Sequence, residues 1–294
     1  MATVRSSIPH EDRTAHEPRG NRIEPVILTS IEEVNPTIRL LRLTPSSPTH
    51  TIKFQPGQWV DTLIPGLPRA GGFTLTSPPS TAHPQGSTPG YLELAIQKSR
   101  NPPAAWLWRP ASEILLSQLA VRVGGSFVYP PVLPRGSKVE RLVLIAGGVG
   151  INPLMSMLSH VMELPREERP RRVAVVYSTK PAEPLERTLF LPRLQHLLKQ
   201  AEKDGGLTFD LFLTSGAKIE GFEGGVLLER TFRRRVSRDD LLNALDGDEK
   251  RAAGARKGTV VYVCGTPAMT DDIVEFLTRQ EGMSKERVLC EKWW

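Results

Sequence analysis

Hydrophobic and polar positions follow two different patterns along the chain, separated by a proline-rich stretch at residues 130–136. Before that stretch, short apolar segments are divided by Pro and Gly, and some of them alternate as half-buried strands do. The predicted strands are 25–30, 38–43, 58–63, 72–76, 91–97 and 121–128, with a short helix beginning at 104–108. This spacing predicts an antiparallel β-barrel or sandwich over residues 22–134.

After the proline-rich stretch, strand-like apolar runs alternate with segments of helical period. The predicted strands are 141–146, 172–177, 208–214, 259–264 and 287–291, and the predicted helices are 153–163, 189–200, 238–245 and 268–280. This alternation predicts an α/β domain over residues 138–294, with a parallel sheet covered by helices on both faces. Residues 215–258 are predicted to form a polar insertion around one helix, and residues 1–21, which lack hydrophobic periodicity, a disordered N-terminus.

The composition limits the classes of function. A chain of 294 residues with 39% hydrophobic and 24% charged residues is typical of a globular protein with two cores. No apolar run approaches the roughly 20 residues of a bilayer span, so no transmembrane segment is predicted. The net charge is +6, but outside residues 233–235 the basic side chains are mostly scattered. This distribution favours solvated faces over a nucleic-acid surface, with an acidic partner or membrane surface as the alternative.

The cysteine count excludes two kinds of site. Cys264 and Cys290 are the two cysteines of the chain, too few for a four-thiolate iron–sulfur cluster or a disulfide framework. The sequence also lacks the H-E-x-x-H and paired C-x-x-C spacings of zinc sites. No metal site is therefore predicted.

A glycine cluster between a strand and a helix is the candidate nucleotide site. Gly147, Gly148, Val149 and Gly150 follow four branched aliphatic residues, and Asn152-Pro153 begins the next helical pattern. Glycine lets the backbone approach a ligand closely, and the free N–H groups of a helix N-terminus favour an anion such as a pyrophosphate. The alternative is a tight connection without a ligand, because the spacing is not G-x-G-x-x-G.

Other strands of the α/β domain are predicted to end at the same edge of the sheet. Ser178 and Lys180 follow the second strand, at the edge where ligands of such sheets bind, and could receive a 2′-phosphate. No acidic residue stands directly at that strand end to bind a ribose diol, although Glu183 is nearby. The sequence therefore leaves NAD and NADP as alternatives.

Two motifs in this order resemble the ferredoxin–NADP reductase superfamily. Residues 146–153 are similar to its pyrophosphate turn, and residues 263–269, Val-Cys-Gly-Thr-Pro-Ala-Met, to its second signature. The resemblance covers about residues 24–294, and stretches 101–106, 120–125 and 291–294 are similar to one branch of the superfamily. It implies a flavin-binding barrel, FAD or FMN as cofactor, and hydride transfer from NAD(P)H to flavin. Electrons would then pass to an unidentified acceptor: a protein, a quinone or a small molecule.

The same resemblance implies roles for individual residues. Phe73 would stack on the flavin ring, and Thr74 would bond the ring nitrogen that takes the hydride, with Ser77 completing the motif. Cys264, with Gly265 and Met269, would lie beside the nicotinamide. Glu291 would relay a proton or balance charge, and Trp293 or Trp294 would cover the flavin. The implied catalytic residues are thus Thr74, Cys264 and Glu291. The alternatives are barrel core for Phe73, a small buried side chain for Cys264, and an inter-domain groove for the tryptophans.

The flavin half departs from the family motif. The motif requires Arg where this chain has Gly71, so Arg69 would have to reach the flavin phosphate from two residues earlier. The prolines of Asn101-Pro102-Pro103 remove two backbone donors where the family cradles that phosphate. FAD, FMN, a loosely held flavin and no flavin all stay open. The alternative function is a dinucleotide-binding sensor or scaffold that has lost the flavin.

The location of the protein is predicted from its N-terminus and charge. No apolar signal core is present, which predicts an intracellular protein. The basic balance and the resemblance favour mitochondria, whereas Glu11, Asp12 and Glu17 are atypical of a transit peptide and favour the cytoplasm.

Overall fold

The structure, a computed structural model, describes residues 8–134, 136–201, 206–214, 230–247 and 256–292. These residues form two compact units. The barrel unit comprises residues 8–130 and 155–160, and the sheet unit comprises the described residues of 131–154 and 161–292. Among the described helices, none is long and apolar enough to cross a membrane.

The barrel unit is built on six antiparallel strands. They are β1 Glu24–Asn35, β2 Ile38–Pro45, β3 Trp59–Leu63, β4 Gly71–Thr74, β5 Leu92–Gln97 and β6 Gln118–Gly124. Their order is β4-β3-β6-β1-β2-β5, and a bridge between Leu75 and Leu94 links the two ends of that order. The predicted antiparallel barrel is confirmed.

The barrel core is aliphatic, as the alternating strand pattern predicts. Val26 and Leu28 of β1 and Leu41 and Leu43 of β2 are fully buried in one cluster. Asn35 turns the chain between these strands, because its Oδ1 accepts the backbone N–H of Thr37 at 2.9 Å. Three short helices accompany the strands: α1 His10–Arg13, α2 Pro102–Leu107 and α3 Ala111–Ile114.

The sheet unit has six parallel strands with helices between them. The strands are β7 Arg141–Gly147, β8 Arg172–Thr179, β9 Leu207–Leu213, β10 Thr231–Phe232, β11 Thr259–Gly265 and β12 Val288–Lys292, in the order β10-β9-β8-β7-β11-β12. The helices are α4 Ile151–Glu163, α5 Leu191–Ala201, α6 Arg238–Asp246 and α7 Pro267–Thr278. The first six residues of β7 are buried, as expected for a strand covered on both faces. The predicted parallel α/β fold is confirmed.

Several elements differ from the predicted ones: β1 runs to Asn35 instead of 30, and α3 was not predicted. Strand β6 ends at Gly124 instead of 128, because Gly125 has φ +99° and both glycines lie against the Trp59 ring. Strand β10 was not predicted, since two residues are too short for a periodic signal. The rest of the predicted insertion 215–258 lies partly outside the described residues.

The prediction of a disordered N-terminus is wrong for residues 8–21. Helix α1 lies in this segment, and His10 within it is 4% exposed. The segment is held by residues far along the chain, such as Asp61. Local hydrophobic periodicity cannot predict contacts with such distant residues. Residues 1–7 lie outside the described part of the chain.

Candidate functional site

The glycine cluster lies where the predicted strand ends, at the carboxyl edge of the parallel sheet. Strand β7 ends at Gly147, a single 3₁₀ turn spans Gly148–Gly150, and α4 begins at Ile151. In the registers, Gly147 lies beside Ser178 of β8 and Ala146 beside Cys264 of β11. The sheet thus brings the two sequence signatures together at one edge, which we call the nucleotide edge.

Two of the predicted residues, Gly265 and Met269, pack closely around Gly147. A Cβ at Gly147 would contact Sδ of Met269 and lie 3.4 Å from the Cα of Gly265. A Cβ at Gly265 would lie 3.1 Å from Sδ of Met269. Because both positions are glycine, the ends of β7 and β11 lie close together, and the Met269 side chain packs against them.

Gly150 makes an even closer contact with β11. A Cβ there would contact the carbonyl group of Cys264 and lie 2.8 Å from the backbone nitrogen of Gly265. These are backbone atoms, which cannot move aside as a flexible side chain can. Gly150 therefore fixes the turn against the second signature.

Gly148 has a different reason to be glycine. Its φ is +55°, and no described atom would lie within 4 Å of a Cβ added there. The space is thus open, at the first position after the strand and beside the start of α4. This is the arrangement that admits a phosphate to backbone N–H groups and a helix N-terminus, so the residues present fit a dinucleotide. Val149 is partly exposed, and Asn152 and Pro153 are buried in the first turn of α4.

Cys264 is fully buried and lies beside Glu291 in the register of β11 and β12. Glu291 is partly exposed. Full burial is typical of a small packing residue, and the role beside a nicotinamide stays a prediction. Trp293 and Trp294, predicted to cover the flavin, lie outside the described residues.

The candidate 2′-phosphate residues lie at the end of β8. Ser178 is partly exposed and Lys180 is exposed. The backbone N–H of Thr214 donates to the carbonyl of Thr179 at 3.0 Å, so β9 ends beside them. Neither residue is buried at the nucleotide edge.

The predicted flavin residues of the barrel lie on and after β4. Phe73 is partly buried against the barrel core, and its ring covers Gly71, where a Cβ would lie 2.7 Å from Cε2 of Phe73. Thr74 is 4% exposed and pairs with Trp59. Ser77 is also buried, and its Oγ accepts the backbone N–H of Glu93 at 3.2 Å.

Arg69 and its neighbour form a small anion-binding group. Nη1 of Arg69 lies 2.7 Å from Oδ2 of Asp12, and both side chains are about half exposed, at 52% and 53%. The backbone N–H of Ala70 donates to Oε1 of Glu11 at 3.4 Å. Gly71, at the place of the family's arginine, is buried, and a Cβ there would lie 2.5 Å from Cβ of Pro103. A flavin phosphate thus fits the donors of residues 69 and 70, which already hold carboxylates.

A buried carboxylate beside β4 was missed by sequence reasoning. Asp61 of β3 is 0% exposed and receives His10 Nε2 at 3.1 Å, Arg19 Nε at 2.9 Å and Arg122 Nη2 at 2.8 Å. Burial alone would raise the pKa of Asp61, but these three hydrogen bonds outweigh it and hold that pKa well below its usual value. An isolated aspartate inside a strand carries no signal of partners 42 to 61 residues away.

No metal cluster was predicted. Within the described ranges, no group of three or more His, Cys, Asp or Glu side chains could hold a metal ion.

Comparison with known proteins identifies the family. Residues 144–275 match the family model described as an oxidoreductase NAD-binding domain. The oxidoreductase NAD-binding domain-containing protein 1 of Danio rerio is 32% identical over 297 residues, covering 99% of this chain and 100% of that protein.

Two solved structures share the fold at low identity. The CS-b5R domains of human Ncb5or, in the NAD+ form, align with a TM-score of 0.66 and 19% identity, over 92% of this chain and 70% of that chain. A ferredoxin NADP+ reductase from Neisseria gonorrhoeae with bound FAD and NADP aligns with a TM-score of 0.62 and 16% identity, over 94% of this chain and 100% of that chain.

The matched family model defines an oxidoreductase NAD-binding domain, and the chain has the fold of ferredoxin NADP+ reductase. The resemblance read from the two signatures is therefore confirmed. The chain belongs to the family of oxidoreductase NAD-binding domain-containing protein 1.

Proposed function

We propose that this protein is a flavin-dependent NAD(P)H oxidoreductase that passes electrons on to an acceptor. A bound flavin would supply the chemistry of accepting one hydride, with its two electrons, from the nicotinamide and releasing the electrons singly. The observation that carries the proposal is Gly148, a left-handed residue with open space at the mouth of the glycine turn. Because Gly148 lies between the end of β7 and the start of α4, this open space supports a dinucleotide at this edge.

The nucleotide edge would bind and orient NAD(P)H through its own residues. Backbone N–H groups after Gly147 would donate to the pyrophosphate, and Asn152 and Pro153 would shape the start of α4 beneath it. Ser178 and Lys180 would contact the adenosine ribose or its 2′-phosphate. Both NADH and NADPH therefore enter the test.

Residues of β11 and β12 would serve the nicotinamide end. Cys264, Gly265 and Met269 would pack beside the ring and exclude water, because they close the edge with small or apolar groups. Glu291 would hold or move a proton through its carboxylate. Trp293 or Trp294 would cover the flavin, as the family resemblance implies.

The barrel residues would hold the flavin. The guanidinium of Arg69 and the N–H of Ala70 would bind its phosphate, as they now bind carboxylates. Phe73 would pack on the ring, Thr74 would donate its hydroxyl to the reacting nitrogen, and Ser77 would fix the strand through Glu93.

Flavin binding and reduction test this proposal. Purified protein is mixed with FAD or FMN, freed of unbound flavin, and titrated without oxygen with NADH or NADPH while the flavin absorbance is followed. We expect retained flavin that loses its absorbance on addition of at least one of the two. Protein that retains no flavin, or flavin that neither nucleotide reduces, would contradict the proposal.

Two variants link the reaction to the nucleotide edge. Gly148→Ala should raise the nucleotide concentration for half-maximal reduction by about tenfold, because a Cβ would occupy the phosphate's place. Gly86→Ala is the matched control, since Gly86 has φ +61° and no described atom within 4 Å of an added Cβ, but lies in a barrel turn. Both changes cost about 1 kcal/mol of backbone strain, so only the binding effect separates them.

Cys264→Ala tests the nicotinamide end. The variant should keep its flavin and reduce it more slowly, because the thiol would touch the reacting ring and not the flavin phosphate. Reduction at the wild-type rate would leave Cys264 as a packing residue.

A dinucleotide sensor without flavin is the second candidate. It is favoured by one observation, the burial of Gly71 beneath Pro103 at the place of the family's phosphate-binding arginine. Protein that binds NADH or NADPH in calorimetry but takes up neither FAD nor FMN would support the sensor against the enzyme.

A further inference from the structure

The N-terminal segment lies across the flavin-side strands of the barrel and is fixed at a buried anchor. We call residues 8–20 the strap. His10 and Arg19 of the strap both bind Asp61, and Trp59 lies between them, with its ring 4.7 Å from the His10 ring and 4.9 Å from the Arg19 guanidinium carbon. A Cβ on Gly72 of β4 would contact the His10 ring. The anchor is thus built into β3 and β4.

The backbone extends this anchor along β6. The N–H of Gly125 donates to the carbonyl of Pro18 at 2.9 Å, and the N–H of Gly20 donates to Val123 at 2.8 Å. The carboxylate of Glu17 accepts both the N–H and the hydroxyl of Ser126, at 2.9 and 2.6 Å. The strap is therefore attached along its length.

The acidic tip of the strap is attached in a different way. Asp12 binds Arg69, and Glu11 accepts the N–H of Ala70. The Asp12–Arg69 pair is about half exposed on both sides, whereas the anchor carboxylate of Asp61 is fully buried. Half-exposed ion pairs are weak in water, whereas removing one partner of a buried ion pair is costly because it leaves a buried charge unpaired.

We propose that the strap is a built-in competitor of the flavin phosphate. This inference rests on the proposed function. Glu11 and Asp12 present two carboxylates to the two donors that the proposed function assigns to the phosphate. A phosphate carries more charge and more acceptor oxygens than either carboxylate, so it displaces the tip while the anchor at Asp61 stays in place. The strap thereby lowers the affinity for phosphorylated flavins and leaves the binding of the ring unchanged.

Comparison of FMN with riboflavin isolates this effect, because the two flavins differ by the phosphate alone. Dissociation constants for riboflavin, FMN and FAD are measured by flavin fluorescence for the wild-type protein and for the double variant Glu11→Gln, Asp12→Asn. Both substitutions keep shape and remove charge, at a partly exposed position for Glu11 and an exposed one for Asp12. Glu17→Gln is the matched control, since it removes one charge from the same strap at the end bound to Ser126.

We expect the double variant to bind FMN and FAD about fivefold more tightly, as the loss of a half-exposed ion pair allows. Riboflavin affinity should not change in it, and Glu17→Gln should bind all three flavins as the wild type does. Arg69→Ala should weaken FMN binding toward the riboflavin level in both backgrounds, with the N–H of Ala70 as the remaining donor. Amide hydrogen exchange in residues 11–13 should rise on binding of FMN and not of riboflavin.

The outcomes separate this inference from the proposed function. If FMN binds with unchanged or lower affinity in the double variant, the strap does not compete and the inference is overturned, while flavin binding itself stands. If riboflavin gains as much affinity as FMN, the strap acts on the ring and the inference is again overturned. If no flavin binds any of the proteins, the proposed function fails and the inference with it.

Discussion

Two glycine pairs, one in each unit, look alike in the sequence but have different surroundings in the structure. At the nucleotide edge, Gly147 and Gly148 precede a helix, and the space beside Gly148 is open. In the barrel, Gly71 and Gly72 lie on β4, and the space beside them is filled by Pro103, Phe73 and His10. The same residue type leaves open space at Gly148 and packs against other parts of the protein at Gly71 and Gly72. A glycine pair predicts close approach, and only the fold says what approaches.

The largest effect that this comparison predicts is at Gly150. Alanine there would place a Cβ on the carbonyl group of Cys264, and backbone atoms within a parallel sheet cannot move without breaking the register. We expect Gly150→Ala to lower the free energy of unfolding of the sheet unit by about 3 kcal/mol or more. Urea unfolding measures it, and a loss no greater than that of Gly86→Ala would contradict the packing described for the turn.

The next largest effect is expected at Asp61, the buried carboxylate that holds the strap in the barrel unit. Asp61→Asn removes the charge that binds two guanidinium groups and the His10 ring, so we expect a loss of about 3 kcal/mol. Asp12→Asn, at the half-exposed pair, should cost less than about 1 kcal/mol. Urea unfolding of both variants tests the difference. Equal costs would mean that anchor and tip are attached equally well.

Acid should remove the contribution of the Asp61 charge to the free energy of unfolding of the wild-type protein. The pKa of Asp61 is held below its usual value in the folded state, so its contribution is present above the unfolded pKa of about 4. It is lost as the pH falls below 4 toward the folded pKa, because the unfolded chain then binds the proton more readily. Urea midpoints of the wild type and Asp61→Asn should therefore converge between pH 5 and acid denaturation. A difference that stays constant across this range would exclude Asp61 as its source.

The two units also differ in how much of them the sequence could predict. In the sheet unit, strands, helices and the glycine turn follow from local periodicity, and β7 with its turn was predicted to within one residue. In the barrel, the strands were predicted, but the partners of Asp61 and Arg69 were not. His10 is 51 residues from Asp61, and Asp12 is 57 residues from Arg69. Contacts of that range leave no local pattern, so an N-terminus with ordinary polar composition was predicted to be disordered.

A moderate effect is expected where the barrel glycine meets the strap. Gly72→Ala places a Cβ against the His10 ring, and the ring is confined by Asp61 and Trp59, so we expect a loss of about 1–3 kcal/mol. In a His10→Ala background the same change should cost less than about 1 kcal/mol, because the space is then empty. A double-mutant cycle by urea unfolding measures the coupling. Additive losses would show that the strap does not fill the space beside Gly72.

The smallest loss of stability is expected for Gly147→Ala, which can be compared with Gly150→Ala at the same nucleotide edge. A Cβ there would meet the thioether of Met269, the far end of a flexible side chain, whereas at Gly150 it would meet backbone. Because Met269 can change rotamer, Gly147→Ala should cost less than about 1 kcal/mol of stability. Met269→Ala combined with Gly147→Ala provides the control, since the contact is then absent. Thermal unfolding of Gly147→Ala, Gly150→Ala and the double variant Gly147→Ala, Met269→Ala tests this. A loss of stability in Gly147→Ala as large as in Gly150→Ala would mean that the Met269 side chain is held as rigidly as the sheet backbone.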